Sequence, residues 1–280
     1  MTTQFLTVTE GKLAYDSAGS GPLVIGIPSM GDLRAEYRFL TPQLVAAGYR
    51  VVRMDVRGHG ESDIQWSDYS VAGIGQDILA LVRALDAGPA ILIGDSMAAG
   101  AAIWAAVEAP ELVKALVLLG PVVRGEVSSA FRMLLTALFV RPWGPAMWVT
   151  YFKRLFPTRK PADYAEYTAA LKQNLSEAGR LEALHQMMLA SKAASEARVQ
   201  WVSAPTLVLM GTKDPDFKDP ETEARWIAGE LKGSFEMIAG AGHYPHVEMP
   251  EIIGPRIIEF LKTLAPEADH VAIAHAQGRA

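Results

Sequence analysis

Short stretches rich in Val, Ile and Leu recur along the chain, each closed by Gly, Pro or Asp, with helical patterns between them. They are LVIGI (Leu23–Ile27), YRVVRMD (Tyr49–Asp55), AILIGD (Ala90–Asp95), ALVLLG (Ala115–Gly120), TLVLMG (Thr206–Gly211) and SFEMIAG (Ser234–Gly240). Their apolar residues run on continuously instead of alternating, which marks strands buried on both faces and therefore parallel. The opening FLTV and KLAYDS read as a hairpin through Glu10-Gly11, an antiparallel start. The expectation is an α/β fold: a mostly parallel sheet of eight strands flanked by helices.

The helical patterns between strands are explicit. Val71, Ile74, Ile78, Leu81, Val82 and Leu85 make one apolar face behind a Ser70 cap. Ser96 to Ala109 is small and apolar nearly all round, as a buried helix would be. Ile257, Ile258, Leu261 and Leu264 mark a final helix, expected to begin at Pro255 with Gly254 before it. Between the sixth and seventh strands the alternation breaks. Residues 125–202 hold several helical patterns and no strand, which divides the chain into a first core part (1–124), a helical cap (125–202), a second core part (203–266) and a tail (267–280). An all-helical insert at that point would sit over the carboxyl ends of the strands, where open α/β sheets bind ligands.

Composition narrows the function. The formal charge of −5 lacks the basic excess of a nucleic-acid binder. The chain contains no cysteine, which removes disulfides, thiolate metal sites and cysteine nucleophiles. MTTQFLTVTEG lacks the basic start and apolar core of a signal peptide, and no apolar run approaches the roughly 18 residues of a membrane span. The expected setting is soluble and cytoplasmic, with no membrane and no nucleic-acid partner.

ILIGDSMAAG (Ile91–Gly100) carries the strongest chemical signal. A nucleophile on a sharp strand-to-helix turn needs small residues two before and two after it. Asp95 is flanked at that spacing by Ile93 and Met97, both bulky; Ser96 is flanked by Gly94 and Ala98, both small. The spacing selects Ser96 and leaves Asp95 to shape the turn or face the helix start. A serine hydroxyl needs a base, and the base needs an orienting group. Of the six histidines, His270 and His275 lie in the tail, His185 in the helical insert and His59 in the glycine-rich DVRGHGES. His243, flanked by Gly240 and Gly242 just after the last strand, is preferred over His246. Two histidines at this spacing could hint at a metal, but no ligand cluster supports one. Asp214, a short turn beyond TLVLMG, is the orienting acid, with Asp216 as the alternative. Ser96, Asp214 and His243 thus follow successive strand ends in one chain order.

With these motifs the chain resembles the α/β-hydrolase family, in the branch with a helical cap. The likeness runs from the opening hairpin to about Leu264. DVRGHGES (Asp55–Ser62) resembles the family's D-x-R-G-x-G-x-S segment, which is structural there, so His59 is read as non-catalytic. GIPSMGDLRAEYRFL resembles the oxyanion loop after the third strand, with Tyr37 in the aromatic place and Pro28-Ser29 where many members have His-Gly. The resemblance implies that the backbone N–H groups of Met30 and Met97 bind the oxyanion. Ser29, Trp143, Trp148 and Met187 are expected to line the pocket. It also implies a serine hydrolase that takes a small hydrophobic substrate, a lipophilic carboxylic ester or lactone, through an acyl-enzyme, with no cofactor and no metal. The same triad serves carbon-carbon bond hydrolysis and perhydrolysis in the family. A non-enzymatic small-molecule receptor on the same fold is the reading from a different class.

Overall fold

A computed structural model describes residues 1–125 and 129–264. The predicted tail of 267–280, with His270 and His275, lies outside the described residues. The hairpin joins β1 (Gln4–Thr7) to β2 (Lys12–Ala18), closed by the Val8 N–H donating to the Gly11 carbonyl at 2.8 Å. Next come β3 (Leu23–Ile27), β4 (Arg50–Met54), β5 (Ala90–Asp95), β6 (Val113–Leu119), β7 (Thr206–Gly211) and β8 (Ser234–Ile238). They form one eight-stranded sheet in the order β1-β2-β4-β3-β5-β6-β7-β8, and β2 alone runs against the rest.

The core helices are α1 (Leu40–Ala46), α2 (Val71–Leu85), α3 (Met97–Glu108), α9 (Pro220–Glu230), α10 (Pro245–Glu248) and α11 (Pro250–Thr263). Ser70 caps α2, its hydroxyl accepting from the Gly73 N–H. Each parallel strand feeds two cores. Leu23, Ile25 and Ile27 pack on the side of α2 and α3, whereas Val24, Ile91 and Ile93 pack with Leu40 and Leu44 of α1 and Ile253, Ile257 and Leu261 of α11. That two-sided burial is what the unbroken apolar runs required.

Between β6 and β7 lie α4 (Ser129–Leu138), α5 (Gly144–Phe152), α6 (Tyr164–Ser176), α7 (Arg180–Leu189) and α8 (Ala193–Glu196). These helices build a third, aromatic-rich cluster in which Trp148, Phe152 and Phe156 meet Tyr244 from the loop after β8 and Val247 of α10. Among the described residues, no helix is long and apolar enough to cross a membrane.

One element departs from expectation. Helix α11 begins at Pro250 and runs through Pro255, not from it. The ring at Pro255 removes one intrahelical donor, which would have served the Glu251 carbonyl. Both residues are exposed, so that carbonyl is open to solvent, while the buried stripe of Ile253, Ile257 and Leu261 continues unbroken across the proline. Packing of the stripe outweighs the local defect.

The topology also locates a crevice. Strand β3 sits between β4 and β5, so the chain crosses to one side after β3 and to the other after β4. Ile27 of β3 is in register with Gly94 of β5. The segments that follow both strands therefore leave the sheet side by side at the switch point, where ligands bind in such folds.

Replacing Ile257, fully buried on α11, by Ala should cost about 2–5 kcal/mol in urea unfolding. The exposed Glu259→Ala should stay within about 0.5 kcal/mol. A loss below about 1 kcal/mol for Ile257→Ala would remove the argument that the stripe carries the helix past Pro255.

Candidate active site

Ser96 has φ 53° and ψ −120°, a backbone conformation that side chains other than glycine rarely hold. Both of its peptide groups are tied to the end of β6. Its N–H donates to the Leu119 carbonyl at 2.9 Å, and its carbonyl accepts from the Val122 N–H at 3.1 Å. The turn is tight enough that a Cβ on Gly94 would lie 2.7 Å from the Ala98 carbonyl oxygen. The sequence rule of small residues on either side of Ser96 thus has a direct steric cause.

Asp214 and His243 follow β7 and β8. The buried Asp214 Oδ2 lies 2.7 Å from His243 Nδ1, and its Oδ1 accepts from the Asp216 N–H at 3.0 Å. Asp216 stands on the other side of the ring, its Oδ2 3.7 Å from His243 Nε2, and accepts from the Tyr151 hydroxyl at 2.6 Å. Burial opposes charge on the His243 ring, but Asp214, then Asp216 and Glu36, outweigh it and hold the imidazole up at about 9. His246 has other company: its Nε2 lies 3.1 Å from Glu36 Oε1 and its ring stacks on Tyr37 at 5.3 Å between centroids. Burial pushes it down to about 3, so it is neutral at pH 7.

Two supports of the pair were not read from sequence. Gly120, at the end of β6 with φ 47°, leaves no room for a side chain: a Cβ there would lie 2.7 Å from the His243 carbonyl oxygen and 3.2 Å from its Nδ1. Glu248 is buried before α11 and accepts from the Gly242 N–H at 2.6 Å and from the Thr158 and Arg159 N–H groups at 2.9 Å each. The glycine closing ALVLLG was visible as a strand end. Only the fold brings it under the imidazole.

The loop after β3 carries Met30. Among the described residues the Met30 N–H has no partner, and neither has the N–H of Met97, the first residue of α3, which no helical carbonyl precedes. Tyr37 steadies this end of the sheet, its hydroxyl lying 2.8 Å from the Ile27 carbonyl and 2.9 Å from the Ile93 carbonyl. His59 packs behind the loop and touches neither Asp214 nor Asp216, in keeping with a structural role.

A sequence model of the α/β-hydrolase fold matches residues 22–250. The chain belongs to that family. An uncharacterised protein of Mycobacterium tuberculosis is 29% identical over 299 residues, covering 97% of this chain and 85% of that one. A 2-hydroxy-6-oxononadienedioate/2-hydroxy-6-oxononatrienedioate hydrolase of Paraburkholderia xenovorans is 27% identical over 282 residues, 93% of this chain and 95% of that enzyme. Among solved structures, a thermophilic esterase from Thermogutta terrifontis superimposes with a TM-score of 0.80 at 23% identity, over 95% of this chain and 100% of its own.

In this α/β-hydrolase, Ser96 and Met30 open on a cavity of about 760 Å³. Leu135, Phe139, Met147, Trp148, Tyr151 and Met188 wall it from the helices between β6 and β7, and Asp216 reaches it from the core. Three residues expected in the pocket stand elsewhere. Met187 is buried in the core on the α2 and α3 side, and Met188, a hundred degrees further round α7, faces the cavity instead. Trp143 precedes α5 and is 52% exposed, its indole N–H donating to the Ala137 carbonyl. Ser29 is buried beside Glu36 and does not line the cavity.

Beneath the elbow lies a buried acidic cluster. Glu36, Asp95 and His246 bring ligand-type atoms within 4.8 Å of one another, as do Asp214, Asp216 and His243, the closeness a metal ion would need. Asp95, expected to shape the turn or face the helix start, belongs to this cluster. Among the described residues neither of its carboxyl oxygens has a hydrogen-bond partner, and its Oδ1 is 3.9 Å from His246 Nδ1. Burial, with Glu36 and Asp32 adding repulsion, raises Asp95 well above the carboxylate range, and burial holds Asp32 and Glu36 at about 8. An acid raised by folding must take up a proton to fold. That penalty is absent at low pH, where the unfolded chain is protonated too, and grows as pH rises above about 4. Asp95→Asn removes the proton requirement at equal size. Its melting temperature should match wild type near pH 4 and exceed it by a few degrees at pH 8. A variant less stable than wild type at pH 8 would contradict a neutral Asp95.

Proposed function

We propose that this α/β-hydrolase cleaves a lipophilic carboxylic ester or lactone through an acyl-enzyme on Ser96. The observation that carries the reading is the strained Ser96 at the floor of a largely apolar cavity, beside two backbone N–H groups with no other partner among the described residues. In this reading His243 takes the proton from Ser96 as the hydroxyl oxygen attacks the acyl carbon. Asp214 holds the imidazole by its Nδ1 and stabilises its charged form. The Met30 and Met97 amides receive the oxyanion, a contribution of about 2.7–4 kcal/mol for one such donor. The alcohol leaves with the proton from His243. The same base then activates water to release the acid. The cavity walls are mainly apolar, with Arg124, Arg154, Lys192, Asp216 and Glu223 among the lining, and the apolar part suits an uncharged acyl chain; a chain without cysteine suits a cytoplasmic setting.

Carbon-carbon bond hydrolysis is a second reading, favoured by the Paraburkholderia relative named above. It uses the same nucleophile on a ketone carbon, but the bond broken is carbon-carbon, and the leaving fragment departs as an enolate that takes the proton from His243 where an ester gives up an alcohol. A panel of short- to medium-chain nitrophenyl esters, with a vinylogous diketone beside it, separates the two. Turnover of esters that disappears in Ser96→Ala is the expected result. Ester turnover that persists in Ser96→Ala, or saturable ligand binding with no turnover in the wild type, would end the hydrolase reading.

The choice between the two acids is testable as well. Asp214→Asn should lower kcat by about 10⁴-fold, as removal of an orienting carboxylate does elsewhere. Asp216→Asn should keep most of kcat.

A general base must be neutral, so kcat/KM should rise with pH through the His243 value of about 9. Stability moves the other way. The contribution of a base raised by folding is complete below its unfolded value near 6.5 and is lost as pH climbs through about 9. Asp216→Asn removes one charge that favours the protonated ring and should shift the rising limb of kcat/KM to lower pH. An unmoved limb in that variant would show that Asp216 does not act on the base.

A further inference from the structure

The loop between β3 and α1 presents an N–H at every residue from Ser29 to Arg34. The Ser29 N–H donates to Glu36 Oε2 at 2.9 Å, and the Gly31 N–H donates to His59 Nε2 at 3.0 Å. Those of Asp32, Leu33 and Arg34 go to the Ser29 carbonyl, Asp32 Oδ1 and Asp55 Oδ1. Met30 alone in this stretch has an N–H with no partner among the described residues. Its neighbours on both sides are held by buried side chains, Ser29 by Glu36 from later in the same loop and Gly31 by His59 from the loop after β4.

The grip extends to the Gly31 carbonyl, which accepts from Trp148 Nε1 of α5 at 3.0 Å. Trp148 lies so close that a Cβ on Gly31 would be 2.4 Å from the indole ring. Both backbone groups of Gly31 are therefore held, its N–H by His59 from the loop after β4 and its carbonyl by Trp148 from the helices above the sheet.

We infer that His59, Glu36 and Trp148 are positioning residues: together they lock residues 29–31 in the one orientation that aims the Met30 N–H at the oxyanion. The inference rests on the assignment of Ser96 as nucleophile and Met30 as oxyanion donor, and adds to it the groups that make the donor rigid. His59 is suited to this by its tautomer. Its Nδ1 lies 3.1 Å from the Arg57 carbonyl, which can only accept, so Nδ1 carries the proton and Nε2 offers a lone pair to Gly31. Burial, with the Arg180 guanidinium nearby, pushes the ring down to about 4 and keeps that lone pair free at neutral pH. A flexible loop would have to reorganise as the charge develops, whereas a fixed dipole does not.

The test compares His59→Phe with His59→Gln on the nitrophenyl esters. Phe keeps bulk and loses the acceptor; Gln puts an amide oxygen near the Nε2 position. His59→Phe should lower kcat by about 10²-fold, the loss expected when a catalytic group is misplaced by about an ångström. KM should change little. His59→Gln should recover at least about tenfold of that loss. A trifluoromethyl ketone supplies a second readout. Ser96 adds to its carbonyl carbon, the hydroxyl proton passes to His243, and the ketone oxygen becomes an oxyanion. The matching alcohol fills the same cavity without one. The ratio of the two affinities should fall in His59→Phe in step with kcat. Trp148→Phe, which keeps a ring and removes the donor to Gly31, should lower that ratio too, and it stands in if His59→Phe does not fold.

A ratio unchanged from wild type in the variants that fold would overturn the inference, as would a His59→Gln no better than His59→Phe. If Ser96→Ala abolishes turnover while the ratio holds, positioning alone fails. If turnover survives in Ser96→Ala, the hydrolase reading falls and takes this inference with it.

Discussion

The site depends first on two hydrogen bonds that hold Ser96 in a conformation it would not choose. A serine at φ 53° and ψ −120° carries strain of about 1–3 kcal/mol. The Leu119 carbonyl of the neighbouring strand and the Val122 N–H just beyond it hold it in place. Those bonds exist because β5 and β6 stay in parallel register up to Asp95 and Leu119. The sheet is thus the source of the strain's support. The small residues around the elbow allow the approach, and the buried helix α3 absorbs the turn that follows.

The second constraint is electrostatic. His243 and His246 stand three residues apart, and both are buried, yet their environments push them in opposite directions. The carboxyl group of Asp214 at 2.7 Å lifts His243 against its burial. His246 has Glu36 beside it and is nonetheless held neutral, since burial is the leading effect on the ring and on the acids around it. The acids below the elbow share one buried region, where each added charge makes the next harder to ionise. The loop that bears Met30 is anchored into this region through Glu36, so the neutral cluster and this loop are parts of one structure.

The pattern of strands and helices was legible because burial on both faces leaves an unmistakable run of apolar residues. The elbow was legible because its steric demand acts on residues two positions away in the chain. The pocket was less so. Met187 and Met188 are equal in sequence, and only the rotation of α7 against the core decides which one meets the cavity. Trp143 looked like a pocket aromatic by composition but sits where the chain enters α5 from solvent. Pro255 looked like a helix start by local propensity, which the packed stripe of α11 overrides.

Local rules therefore determined the order of elements and singled out Ser96 at the elbow, with Asp214 and His243 as candidates after the last strands, because each rests on neighbours within a few positions. The tertiary structure alone decided what those residues meet. It sets Asp214 beside His243 from different strands and Gly120 beneath them. It also brings His59 and Trp148 from two distant parts of the chain onto residues 29–31, which Glu36 of the same loop already holds. No spacing in the sequence encodes those contacts, since they arise from how the layers pack once the sheet has formed.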